Sequence, residues 1–203
     1  GIQASPSLRK FYTDDGGFAL SKAVDTTLFN AARTLNGGDG ANEWTGAEIA
    51  GDGTTNYVDA ALNANATAIT DAGIRRVIQT LDDANMPMND RFLVVPPVGR
   101  RVMMGLARFT EQAFTGDGKP ILNGKLGNIY GMSVHVSTNC PTPSLGTTVR
   151  IGLLAHRDAL VLAEVLGPRV QTQYKQEYLA TLLTADTIFG CGEVYDTGGV
   201  PIA

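Results

Sequence analysis

Two histidines are the side chains in this sequence best suited to proton transfer near neutral pH. His135 stands between two valines in an alternating run, so we expect a strand side chain that faces a neighbour or solvent. His156 is followed by Arg157 and Asp158, an order that suggests a charge relay. Members of a catalytic triad converge from separate elements, however, and adjacent residues of a tight turn do not. The prediction for His156 is therefore a hydrogen-bonded polar corner.

Two glycine-rich segments match ligand-binding loops only in part. The run Gly116–Lys119 lacks both further features of a phosphate loop, because Ala113 stands where the first glycine is needed and Pro120 where Ser or Thr is needed. The run Asn36–Glu43 spaces oxygen ligands roughly like a calcium loop, but it lacks the ligand order and the distant bidentate glutamate. We interpret it as a solvated turn cluster, with a bound cation as the minor alternative.

The remaining reactive side chains are few and scattered. Asp82 and Asp83 are adjacent on a predicted helix, where neighbouring side chains point about 100° apart, so we expect an exposed charge pair rather than a catalytic dyad. Cys140 and Cys191 lie in different elements and are interpreted as small buried apolar residues, with metal binding or a disulfide as minor options. The sequence therefore predicts no catalytic, cofactor or metal site, and no enzyme.

Composition narrows the class of protein further. The chain has 203 residues, of which 43% are hydrophobic, enough for one large or two small domains. Twenty acidic and sixteen basic residues give a net charge of −4, which argues against an autonomous nucleic-acid binder. The apolar runs are too short to cross a membrane. Glycine is the unusual component, with 24 residues, and it predicts a loop-rich chain.

Arginine pairs are the most informative charged residues. Eleven of the sixteen basic residues are arginine, and the pairs Arg75-Arg76 and Arg100-Arg101 fall on predicted helices. The guanidinium group makes planar bidentate pairs, which suit permanent contacts between subunits. No basic stripe interleaved with aromatic residues is present, as a nucleic-acid groove would require. The candidate contact residues between subunits are Arg75, Arg76, Arg100, Arg101, Lys119, Lys125 and Trp44.

Apolar periodicity predicts where the first elements begin and end. A helix is expected over 16–35, with Asp14 or Asp15 as its N-cap, and a long glycine-rich loop over 36–56 follows it. A second helix is expected over about 67–85, capped by Thr67 or Thr70.

Shorter elements complete the predicted order. The apolar run Phe92–Val95 predicts a strand buried on both faces, and Pro97 suits the first position of a third helix. Further strands are expected within 129–136, 151–154, 160–165, 170–174 and 178–189. The result is a mixed α/β chain with antiparallel character.

The ordered set of segments is more specific than any one of them. A helix ends in the run Thr80–Pro87, and the run Arg91–Pro97 precedes a short helix. Next come Asn123–Ser137, which leads to Pro141, and a closing stretch from Tyr178 to Val194. In this order the chain resembles the tailed-bacteriophage major capsid protein of the Hong Kong 97-type fold, and it is most similar to the short-tailed phage capsids.

The resemblance implies an α+β fold with a peripheral and an axial domain. Residues 1–15 would be the trailing end of an extended loop, and 16–89 the helix, glycine-rich loop and spine helix of the peripheral domain. The axial domain would span 90–166. Residues 167–203 would return as long strands beside the spine helix at about 67–85. Because Gly1 is not an initiator methionine, we expect an N-terminal arm and most of the extended loop to precede this numbering.

The implied function is structural. The chain would self-assemble through pentamers and hexamers into an icosahedral shell around a double-stranded DNA genome. Portal, scaffold or decoration proteins are possible partners, contact with packaged DNA would be weak, and no membrane or cofactor is implied. The location would be the virion, after assembly in the host cytoplasm. Two alternatives stay open: another shell or decoration protein, such as an encapsulating nanocompartment, and a small α/β enzyme with a lid at 36–56.

Overall fold

The computed structural model describes residues 6–38, 49–62, 64–106, 127–146 and 148–203. Its helices and strands, in chain order, are α1 (Pro6–Ala31), α2 (Asp71–Asp83), β1 (Arg91–Val95), α3 (Pro97–Met103), β2 (Asn128–Ile129), β3 (Met132–Val136), β4 (Gly152–His156), β5 (Leu160–Lys175), β6 (Ala180–Glu193) and β7 (Gly199–Ile202). Short 3₁₀ helices lie at Ala32–Gly37, Arg157–Ala159, Gln176–Tyr178 and Asp196–Gly198.

A five-stranded mixed sheet carries most of the buried core. Its strand order is β2-β3-β1-β4-β7, in which β1 runs parallel to β3 and the other neighbours are antiparallel. Beyond β7, the N–H of Ile49 donates to the carbonyl of Pro201 at 3.0 Å, and its carbonyl accepts from the N–H of Ala203 at 3.0 Å. Segments far apart in the sequence therefore complete this sheet.

The two faces of the sheet are covered by different elements. On one face, α2 and α3 pack over Leu93, Val95 and Leu154, and this cluster holds the larger core. On the other face, the end of α1 and the 3₁₀ helix after it pack Leu35 against Leu153. We call the sheet with α2 and α3 the sheet unit.

Helix α2 begins where the sequence predicts a cap. The hydroxyl of Thr70 accepts a hydrogen bond from the N–H of Gly73 at 3.1 Å, and Asp71 lies in the first turn, where the helix dipole favours negative charge. Asn85 ends the helix in a left-handed conformation with φ 57°. The predicted second helix and the predicted start of α3 at Pro97 are both confirmed.

The second part of the molecule, which we call the α1–hairpin unit, consists of α1, β5 and β6. The two strands form a hairpin about 50 Å long, since strand residues advance about 3.3 Å each and β5 has 16 residues. Helix α1, with 26 residues, packs along this hairpin. The prediction that the long strands return beside the helix at 67–85 is therefore wrong, because α2 packs against the sheet instead.

The first helix starts earlier than predicted. It begins at Pro6 rather than near residue 16, so Asp14 and Asp15 lie inside it and do not cap it. Residues 6–15, predicted as the end of an extended loop, are helical. The helix continues through Gly16, which lies against the hairpin: a Cβ built on Gly16 would lie 3.5 Å from the Cβ of Ala185, an ordinary contact distance.

Two strand predictions also change. Strand β1 alternates between buried and half-buried residues, so it is not buried on both faces; Phe92 and Val94 border an open cavity beside α1. The stretches predicted at 160–165 and 170–174 are parts of one strand, β5, and 178–189 falls largely within β6. Two register shifts in β5, one between Glu164 and Leu166 and one between Leu166 and Arg169, separate the two stretches without ending the strand.

The four-part division into domains stays a prediction. The packing nevertheless places α2, from the 16–89 segment, and β7, from the 167–203 segment, in the core of the sheet unit. The boundary between 166 and 167 falls inside β5. Within the described ranges, none of the helices combines the length and apolar character needed to span a bilayer.

Candidate subunit interface

The α1–hairpin unit is exposed on nearly all sides. None of the described side chains of α1 from Lys10 onward, or of β5 and β6, is buried. Large apolar side chains in this unit and at its tip are more than half exposed: Phe11, Phe18, Val165, Tyr174, Tyr178, Leu179 and Ile188. Exposed apolar area on this scale is typical of surfaces that contact other chains.

One ion pair fixes the register of the hairpin just after its second register shift. The guanidinium of Arg169 donates from Nε to both carboxylate oxygens of Asp186, at 3.0 and 2.8 Å. These hydrogen bonds lower the pKa of Asp186 and raise that of Arg169. Both groups are exposed, so the pair fixes geometry more than it adds stability.

The α2 arginines differ in their surroundings. Arg75 pairs with Asp71 one turn earlier, at 3.0 Å, and the hydroxyl of Tyr130 donates to the same carboxylate. Arg76 is exposed, and its side chain has no hydrogen bond or ion pair within the described part of the chain. Of the two, Arg76 is therefore the residue left available for a contact with another molecule.

The α3 arginines lie in the last turn of a short helix. Arg100 and Arg101 are both exposed, and the side chain of Arg101 has no ion pair or hydrogen bond among the described residues. The remaining candidate contact residues, Trp44, Lys119 and Lys125, lie outside the described residues, as do the turn signals at 115–118 and 123–124.

The structure does not bring the two histidines together. His135 is exposed on β3 and lies 3.2 Å from the hydroxyl of Ser133, which confirms the predicted strand position. His156 is buried at the end of β4, where its Nδ1 accepts from the N–H of Asp158 at 3.2 Å. The predicted polar corner is confirmed, and it leads from the sheet unit into β5.

The cysteines have different environments. Cys140 is buried, and burial raises the pKa of its thiol to about 11, so it stays protonated near neutral pH. Cys191 is half-buried in β6, and both are free thiols. Among the described residues, no group of three or more His, Cys, Asp and Glu side chains could hold a metal ion.

Two cavities bordered by described residues are open and mainly apolar. One, of about 480 Å³, lies between α1 and the sheet and is bordered by Phe29, Leu153 and Leu160, with Asp25, His135 and Arg157 at its polar margin. The other, of about 380 Å³, lies beside α3 and has Arg150 as its charged residue. Neither gathers the convergent polar groups that a substrate would need for orientation.

Sequence reasoning missed the exposed apolar surface of the hairpin. A solvated two-stranded hairpin needs polar side chains on its outer face, whereas the run Leu160–Leu166 has apolar residues at nearly every position. The sequence predicts a strand at 160–165 but does not indicate that its apolar side chains are exposed. It also missed that Asp82, interpreted as a solvated charge, pairs with the buried Arg91 at 2.7 Å.

A compact sheet unit joined to a long, thin and exposed α1–hairpin unit is the arrangement expected of a protein whose surface contacts other chains. The chain belongs to the phage capsid protein family, whose family model matches residues 12–197. A comparison with curated proteins found no match.

Solved structures of phage proteins share this fold. The chain is similar to one from Mycobacterium phage Che8, with a TM-score of 0.69, 18% identity, and coverage of 98% of this chain and 63% of that one. A chain from the capsid of cyanophage P-SCSP1u matches with a TM-score of 0.65 and 16% identity, over 96% of this chain and 65% of that one. A chain from the mature capsid of bacteriophage PhiM1 matches with a TM-score of 0.63 and 15% identity, over 98% of this chain and 66% of that one. This chain thus spans less than two thirds of the length of each. The predicted α+β, Hong Kong 97-type fold is confirmed.

Proposed function

We propose that this chain is the subunit of an icosahedral shell that encloses a double-stranded DNA genome, and that copies of it assemble through pentamers and hexamers. Membership of the phage capsid protein family supports a structural shell role. A structural role without catalysis agrees with the family, and we propose no reaction for this chain.

One observation carries the proposal: the α1–hairpin unit has no buried side chain among those described. A two-stranded hairpin is at best marginally stable in water and needs further strands or a packed helix. Here α1 covers only one face, and it contributes no buried residue along the hairpin. We propose that neighbouring copies of the chain cover the exposed apolar side chains of the α1–hairpin unit.

We expect the assembled particle to protect this unit from hydrogen exchange. Amides of β5 and β6 should exchange about 100-fold more slowly in particles than in free subunits, because contacts with neighbours suppress local opening. Amides of β1 and β4, which lie inside the sheet, serve as the internal control and should change little. Hydrogen–deuterium exchange by mass spectrometry measures both sets. Full protection of the hairpin in the free subunit would contradict the proposal, as would the absence of particles by electron microscopy.

Charge distribution supports contacts between different surfaces of identical copies. Residues 91–157 contain eight Lys/Arg and two Asp/Glu, whereas the rest of the chain contains eight Lys/Arg and 18 Asp/Glu. A ring of subunits is built from heterologous contacts, in which one surface meets a different surface of the next copy. Opposite charges on two parts of one chain suit such contacts.

Reversing the charge of Arg76 and Arg101, whose side chains have no partner among the described residues, is expected to impair assembly more than folding. The double variant Arg76→Glu, Arg101→Glu should lower particle yield about tenfold, because both side chains are exposed and carry the charge a neighbour would meet. The free energy of unfolding of the subunit should change by less than about 0.5 kcal/mol. The charge-preserving variant Arg76→Lys, Arg101→Lys is the control. Unchanged yield of the reversed variant, measured by sedimentation, would reject these contacts.

Two further parts of the proposal concern architecture and partners. The long helix beside the hairpin is α1, so we propose that the α1–hairpin unit forms the peripheral domain and the sheet unit the axial domain. Portal, scaffold or decoration proteins are proposed as additional partners in the virion, with assembly in the host cytoplasm. The net charge of −4 supports weak contact with packaged DNA.

A further inference from the structure

Residues Leu35 to Gly38 form a tight turn at the end of the 3₁₀ helix that follows α1. The N–H of Gly38 donates to the carbonyl of Leu35 at 3.3 Å, and the central residues Asn36 and Gly37 have φ of 59° and 80°. Positive φ at both central positions defines a type I′ turn, for which Asn-Gly is the preferred pair. Leu35 is buried, whereas Gly37 is exposed. The Asn36-Gly37 peptide is therefore held in a defined conformation and is open to water.

A carboxylate that is distant in the sequence holds this turn. Asp196 Oδ1 accepts a hydrogen bond from the N–H of Gly37 at 2.7 Å. Asp196 lies in the short 3₁₀ helix before β7. The first residue of β7, Gly199, packs against the start of the turn, since a Cβ built on it would lie 2.8 Å from Cδ1 of Leu35. We call the turn at 35–38 together with Asp196 and Gly199 the joint.

Asn-Gly is also the pair in which an asparagine side chain loses its amide most readily, because glycine hinders attack by its own nitrogen least. The nitrogen of Gly37 attacks Cγ of Asn36, so that an N–Cγ bond forms and the Cγ–Nδ2 bond breaks. Ammonia leaves and takes up the proton of the Gly37 N–H. Water then opens the five-membered succinimide ring to aspartate or isoaspartate. Water is the only co-reactant.

The conformation of the turn opposes this reaction. Ring closure requires the Gly37 nitrogen and the Asn36 Cβ on the same side of the Asn36 Cα–C bond, because the ring contains both atoms. Asn36 has ψ of 34°, which places the two atoms nearly on opposite sides of that bond. The hydrogen bond to Asp196 also occupies the N–H that the reaction must lose. The Gly37 nitrogen can therefore attack only after the joint opens.

We propose that Asn36 is a hydrolytic deamidation site gated by the joint, with the Asp196 carboxylate as the group that keeps the joint closed. In the product a second carboxylate stands one residue from the N–H that Asp196 binds, and like charges repel. Isoaspartate also adds one carbon to the main chain between Leu35 and Gly37, so the type I′ turn cannot re-form. A deamidated subunit thus keeps an open joint between the end of α1 and β7. This inference does not depend on the proposed shell function.

Ageing the full chain at mildly alkaline pH tests the gate. Peptide mass spectrometry measures conversion at Asn36, and Asn123-Gly124, the second Asn-Gly pair of the sequence, is the internal reference. In Asp196→Ala, conversion at Asn36 should be about tenfold faster than in the unmodified chain, the factor expected for the loss of a hydrogen bond to a charged group. Conversion at Asn123 should not change. The matched control is Thr197→Ala, which removes the next exposed side chain and leaves Asp196 in place.

Circular dichroism establishes that each variant is folded. If Asp196→Ala does not fold, Asp196→Asn replaces it, because its neutral amide oxygen is a weaker acceptor and conversion should rise about threefold. Conversion of Asn36 in the unmodified chain as fast as in the urea-unfolded chain would overturn the proposal, as would an unchanged rate in both Asp196 variants. Equal acceleration in Thr197→Ala would also overturn it, because the effect would then not belong to the carboxylate.

Discussion

Replacing Arg91 with alanine is expected to lower the free energy of unfolding by about 2–4 kcal/mol, because the change removes a buried side chain that serves two backbone acceptors and one carboxylate. The Arg91 side chain is 3% exposed, and it pairs with Asp82 at 2.7 Å. It also donates to the carbonyls of Met86 and Pro87, at 2.6 and 2.8 Å. Without it, these acceptors at the end of α2 lose their donor and a cavity opens beside β1.

Urea denaturation followed by circular dichroism measures this loss. Arg101→Ala is the control, because that arginine is exposed and should change the free energy of unfolding by less than about 0.5 kcal/mol. The loss of free energy of unfolding for Asp82→Asn should lie between the losses for Arg91→Ala and Arg101→Ala. The Asp82 side chain is 38% exposed, and Arg91 keeps its backbone acceptors in this variant. A loss below about 1 kcal/mol for Arg91→Ala would show that the sheet unit does not depend on this anchor.

Adding a single methyl group to Gly73 is expected to destabilise the subunit by about 2–3 kcal/mol, in the range of overpacked cores. A Cβ on Gly73 would lie 1.9 Å from the carbonyl oxygen of Gly51. That oxygen accepts from the N–H of Thr70 at 2.9 Å, so it cannot move without breaking the contact that holds the loop to the start of α2. The clash outweighs the higher helix propensity of alanine, worth about 1 kcal/mol.

The matched control is Gly17→Ala in α1. Gly17 is also a helical glycine, but a Cβ there would meet no atom within 4 Å, so alanine should stabilise the helix by up to about 1 kcal/mol. Replacing glycine with alanine is thus expected to lower the free energy of unfolding at Gly73 and to raise it at Gly17. Thermal unfolding of both variants tests this directly, and a neutral Gly73→Ala would mean that the loop at Gly51 adjusts freely.

Elements governed by local rules were predictable from the sequence. The cap at Thr70 and the helix start at Pro97 each depend on one side chain and its immediate neighbours. The start of α1 was not predictable in this way. The Gly16-Gly17 pair is a weak helix former, so local propensity does not predict that the helix continues through it along the distant hairpin.

The candidate interface was predictable only in part for a related reason. The arginine pairs are visible because charged residues on an amphipathic helix face outward. The apolar run from Leu160 to Leu166 has the same pattern whether a core or a second copy covers it, so the sequence alone cannot separate the two. Likewise, Arg91 borders an apolar strand like any surface arginine, and only the fold shows that the end of α2 closes over it.

Strand β7 has a consequence for the order in which the molecule is made. It pairs with β4, yet the whole hairpin is synthesised between them, and its residues Val200 and Ile202 fill the core beside α2. When the chain has emerged from the ribosome only as far as residue 195, both long strands are exposed but β7 cannot yet pair with β4. At about 5–20 residues per second this interval is brief. A nascent subunit that stalls during this interval would expose the apolar side chains of the hairpin while its sheet core is incomplete. Such a chain is a target for chaperones and proteases.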